Sequence, residues 1–104
     1  MNERYQSLIE QAKEKAGYAE KAQKKMNDIS MKLREHTADL NATKAAIVTA
    51  AGKGEDTAGL ADQILKLERM IDADRAAINA EAGEFRRYEK YQKILEAEKR
   101  RVDR

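Results

Sequence analysis

Gly52-Lys53-Gly54-Glu55-Asp56-Thr57-Ala58-Gly59 is the one stretch of this 104-residue chain where helix-breaking residues cluster, and its reading decides the fold. Gly52 follows the pair Ala50-Ala51 in the place of a C′ glycine, and Lys53 suits a carbonyl-rich helix end. Asp56 or Thr57 can cap a second helix. A chain that reverses here is a hairpin. One that does not is a single continuous helix, the structural rival.

Upstream of the turn, Tyr5, Leu8, Ala12, Ala19, Ala22, Met26, Ile29, Leu33, Leu40 and Ile47 recur in steps of three, four and seven, which places them on one helical stripe. Lys15, His36 and Thr43 fill the remaining positions. Downstream, Leu60, Ile64, Leu67, Ile71, Ile78, Phe85, Tyr88, Leu95 and Val102 form a second stripe, interrupted by Asp74, Glu81 and Lys99. Folding the chain back pairs Ile47 with Ile64, Leu40 with Ile71, Leu33 with Ile78 and Met26 with Phe85. Large apolar pairs falling in one heptad register predict an all-α, long antiparallel two-helix hairpin of coiled-coil type. The expected bounds are helix 3–51, turn 52–57 and helix 58–102, one domain over 1–104. Each helix would extend about 70 Å at 1.5 Å per residue. Asn2 is an expected N-cap, with Glu3 favourable in the first turn.

Composition agrees with long helices: 38% of residues are charged, and Pro, Cys and Trp are absent. Without Cys there is neither a disulfide framework nor a thiolate metal site. No apolar run approaches the roughly 20 residues of a membrane span. The opening Met1-Asn2-Glu3-Arg4-Tyr5 lacks the apolar region of a cleaved signal. The expected location is cytoplasmic, or virion-associated for a phage-derived chain, with signal-less export left open.

One seam between two helices offsets the ordering entropy of about 100 residues poorly, at about 1.5 kcal/mol each. A second stripe is therefore expected. Ile9, Ala16, Met31, Ala38, Ala42 and Ala45 form one on the first helix; Leu65, Ala73, Ala76, Ala80, Tyr91 and Ile94 form one on the second. They read either as helix formers on a solvated face or as an oligomer interface giving a four-helix bundle, by homodimerisation or with another helical protein. The second reading is the stronger, since Leu65, Met31, Ile9 and Ile94 have no reason to be exposed together.

The hairpin's ends differ. Residues 1–34 and 80–104 hold sixteen basic and eleven acidic side chains, against five and eight in 35–79. All five aromatics, Tyr5, Tyr18, Phe85, Tyr88 and Tyr91, lie at the basic end. Three readings stand: ordinary core filling with solvated ion pairs; a partner-docking surface built on Tyr5, Tyr18, Phe85, Arg86, Arg87, Tyr88 and Lys90; or a phosphate grip by Arg86, Arg87, Lys90, Lys93, Lys99, Arg100, Arg101 and Arg104. Interleaved Glu84, Glu89, Glu96 and Glu98 count against the last, so nucleic acid is a weak partner choice. Gly17 and Gly83 interrupt strong helix and read as neutral or as points of close approach.

Catalysis finds no foothold. His36 is the single histidine and is expected in the seam or at its edge. Glu68, Asp72 and Asp74 have Arg69 and Arg75 as neighbours rather than further metal ligands. Gly52-Lys53-Gly54 lacks the spacing of a phosphate loop, and Ser7 and Ser30 lack a base. No catalytic residue, metal, cofactor, small-molecule substrate or membrane partner is expected. The chain reads as a non-enzymatic interaction or structural module whose partners are itself or another helical protein.

Two resemblances add context. Lys44-Ala45-Ala46-Ile47, followed by Lys53-Gly54-Glu55-Asp56-Thr57-Ala58-Gly59-Leu60-Ala61-Asp62-Gln63-Ile64, resembles a helix-turn-helix segment of bacteriophage tail and baseplate proteins, over about one fifth of the chain. That resemblance implies a virion or prophage structural part. In size and shape the chain is also similar to the helical hairpins exported by type VII secretion systems. It departs from them in lacking a Trp-x-Gly turn, and Phe85-Arg86-Arg87-Tyr88-Glu89 is a loose version of their export signal.

Overall fold

The computed structural model describes residues 3–102, and the possible cap Asn2 lies outside them. Two helices, α1 (Glu3–Gly52) and α2 (Ala58–Val102), are packed against each other and joined by a short turn. No strand occurs among the described residues.

The turn closes differently from the expectation. Gly52 is the last residue of α1, and the left-handed residue is Gly54, with φ of 72°. The amide of Gly54 donates to the Ala51 carbonyl at 3.1 Å, and that of Glu55 to the Ala50 carbonyl at 3.0 Å. Those two bonds are a Schellman motif with Gly54 at C′, satisfying carbonyls that the helix end leaves open. Asp56 Oδ1 then accepts from the Ala58 amide at 3.0 Å, and the Ala61 amide reaches the Thr57 carbonyl at 2.9 Å. The Thr57 carbonyl takes the first intrahelical bond and makes Thr57 the N-cap of α2, while the Asp56 carboxylate just before it satisfies a first-turn amide.

Contacts divide the chain into two compact units. The turn unit is Asp28–Ile78; the terminal unit is formed by the chain up to Asn27 and from Asn79 onward. In the turn unit Leu40, Leu67 and Ile71 are buried as a cluster, with Leu33 and Ile64 packed against it. Thr43 is also buried, and its hydroxyl donates to the Asp39 carbonyl at 2.8 Å, so the seam carries it without an orphaned polar atom. No described buried side-chain polar atom lacks a partner.

In the terminal unit the buried residues are Ala12, Ala16, Ala19 and Ala22, all from α1. This corrects the two stripes. Ala16, expected on the outer face, is only 4% exposed within the single chain, and Ile9 is half-buried; Leu8, expected in the seam, is 43% exposed. Turning Ala16 inward in place of Lys15 spares an ammonium the cost of desolvation. The inward positions then step by three twice in succession, at 16, 19 and 22, which is the spacing of a stammer in the heptad pattern.

Candidate functional site

The aromatic residues of the terminal unit do not form one patch. Tyr18 from α1 and Tyr88 from α2 meet with ring centroids 5.3 Å apart at 56°, and Tyr91 lies 6.5 Å beyond Tyr88. Tilted contacts of this kind suit the ring quadrupoles. Cations sit over the same rings: Lys15 is 5.8 Å from the Tyr88 centroid, Lys21 5.9 Å from Tyr18 and Lys90 5.2 Å from Tyr91. Tyr5 is held apart from this group, beneath the Arg101 guanidinium at 4.8 Å. Of the residues expected at a docking end, Tyr18, Tyr88 and Lys90 come together, and Tyr5 does not join them. Phe85 is half-buried.

Three of the arginines there are engaged locally. Arg86 Nε donates to the Ala82 carbonyl at 3.3 Å, and Arg87 pairs with Glu84 at 3.5 Å. Arg101 makes two bonds to Glu98, each 3.1 Å. Accepting those bonds, the Glu98 carboxylate raises the Arg101 pKa above its ordinary value. Lys25 approaches Glu81 across the helices at 3.9 Å. Lys15, Lys21 and Arg101 belong to this arrangement but were not singled out as docking residues. Their signal is their placement a helical turn or less from a tyrosine, or across the seam from one.

The outer stripe divides by unit. Met31, Ala38, Leu65, Ala73 and Ala76, all in the turn unit, are exposed, as is Ala80 in the terminal unit. Tyr91 and Ile94 are half-buried, and Ile94 lines an open hollow with Tyr5, Leu8 and Ile9. Ile94 therefore faces the chain's own first helix as much as a partner. Two further exposed apolar side chains, Val48 at 72% and Met70 at 47%, extend the outward apolar surface of the turn unit. Val48 follows Ala45 by three residues, so helical spacing alone could have found it.

Within the same unit, His36 Nδ1 and Asp74 Oδ2 stand 2.6 Å apart across the seam, with side chains 20% and 14% exposed. By periodicity alone each interrupts the stripe of its own helix. Counting three residues on from Leu33 and from Ile71 places them opposite one another, a pairing the register already contained.

Among the described residues, no group of three or more His, Asp or Glu side chains could hold a metal ion, and no helix is long and apolar enough to cross a membrane. Gly17 and Gly83 have open space where a Cβ would stand, so neither marks a close approach within the chain. No protein-family model, no curated protein and no solved structure matches this chain.

Proposed function

We propose that this chain is a non-enzymatic structural or interaction module that assembles with other helices through the outward apolar side chains of its turn unit. The observation carrying this reading is the exposure of Met31 at 61%, Leu65 at 53% and Val48 at 72% on one small unit whose own seam is narrow. Large apolar side chains left exposed on a unit this small mark places where another protein docks. A second copy making a four-helix bundle is the smallest such assembly. Ala38, Ala73 and Ala76 between the larger side chains would let a neighbouring helix approach closely.

The basic terminal unit supports a nucleic-acid reading less well. Lys15 and Lys21 rest on tyrosine rings and Arg87 and Arg101 beside glutamates, and a phosphate would have to displace those contacts before gaining its own. The resemblance of residues 44–64 to phage tail and baseplate segments makes a virion part the setting we favour. A type VII-like secreted or adaptor hairpin is the alternative.

Met31→Asp and Leu65→Asp test the interface without touching the hairpin's own seam, which Ile94→Asp would not. Sedimentation should give a multiple of the 11.8 kDa chain mass for the parent and the monomer mass for either variant. An unchanged mass in both variants sinks the assignment. Strong retention on heparin that falls steeply as salt rises would instead favour the nucleic-acid reading.

A further inference from the structure

We propose that the His36–Asp74 pair is a register lock, holding α1 and α2 in one of several heptad registers that the apolar seam alone would accept. On α1, Leu33, Leu40 and Ile47 repeat every seven residues; on α2, Ile64, Ile71 and Ile78 do the same. Sliding one helix past the other by a heptad brings Leu40 opposite Ile64 or Ile78 in place of Ile71. Within the turn unit aliphatic still meets aliphatic, and its seam loses little more than one layer at its end. The apolar repeat cannot tell these arrangements apart.

The turn does not forbid them either. A slip of one heptad moves the reversal by half a heptad, from near Gly54 to near Gly52 or Gly59. Both of those glycines have open space at the Cβ position, and neither carries the positive φ found at Gly54. A chain with glycine at each of three neighbouring sites can reverse at any of them.

The polar layer discriminates. In the observed register His36 faces Asp74 at 2.6 Å, both mostly screened from water. If the reversal moved to Gly52, the same count would set His36 against Leu67 and Asp74 against Ile29, stranding an imidazole and a carboxylate among aliphatic groups. That cost is steep for a buried ionised group. If it moved to Gly59, His36 would meet Glu81 and Asp74 would meet Thr43, a milder exchange. The lock therefore acts chiefly against slip toward Gly52. A single polar contact that selects register at the expense of seam stability is a known property of coiled coils.

Cysteine cross-linking reads the register directly, because the chain has no cysteine of its own. A disulfide needs Cα atoms within about 7 Å, whereas one heptad is about 10 Å of helix rise. Leu40→Cys is combined in turn with Ile71→Cys, Ile64→Cys and Ile78→Cys, and intramolecular bonds are separated from intermolecular ones by mass. With His36 and Asp74 present, only the 40–71 bond should form. With His36→Leu and Asp74→Leu, the helical signal should persist and the 40–64 bond should rise at least tenfold. A variant that still forms the 40–71 bond alone overturns the proposal. Should Leu40→Cys itself cost the helical signal, half-buried Leu33 paired with Ile78, Ile71 and Phe85 serves as the same ruler.

Discussion

The turn unit and the terminal unit solve the same packing problem with different side chains. In Asp28–Ile78 both helices contribute aliphatic groups of similar size, and Leu40, Leu67 and Ile71 close into a cluster. In the terminal unit α1 contributes four buried alanines, while α2 contributes half-buried Phe85, Tyr88 and Tyr91. Charge differs as well, with seven basic and nine acidic side chains in the first unit, fourteen and ten in the second. The contrast teaches that a continuous helix can change its mode of packing along its length. In one unit both helices bury aliphatic groups, whereas in the other one helix buries small residues and its neighbour half-buries large rings. The rings keep exposed edges, and lysines and arginines settle on them.

This contrast can be broken by substitution. The largest effect is expected at Ile71→Ala, which removes a 5% exposed side chain from the aliphatic cluster and should cost about 2–4 kcal/mol in denaturant unfolding. A loss below about 1 kcal/mol would mean that the turn unit does not depend on that cluster. Next comes Ala19→Leu, at a fully buried position of the terminal unit, where overpacking should cost about 1–3 kcal/mol. The same change at exposed Ala46, which lies on neither stripe, should be neutral, and an equal effect at both sites would remove the distinction between inner and outer alanines.

The smallest effects concern glycine. Gly54→Ala places a side chain at φ of 72° and should destabilise by about 1 kcal/mol, whereas Gly17→Ala and Gly83→Ala fill open space within helix and should each stabilise by about 1 kcal/mol. Thermal melts of the three variants check the sign. Were Gly17→Ala or Gly83→Ala to lower the oligomer mass instead, that open space would be where a neighbouring chain lies.

Helix class, the position of the reversal and the stripe of the turn unit were legible in the amino-acid sequence. They depend on local chemistry: a cluster of glycines before Asp56 and Thr57, and large aliphatic residues at heptad spacing. The His36–Asp74 contact was implicit in that same register, hidden because each residue seemed only to interrupt its own helix. What the tertiary structure decided was the rotation of α1 in the terminal unit. Periodicity leaves two adjacent positions, such as Lys15 and Ala16, only about 100° apart, and nothing local chooses between them. The choice falls to the neighbour: with Ala16 facing α2, Lys15 is only half-buried and its ammonium lies over Tyr88, and Ile9 rather than Leu8 is turned inward.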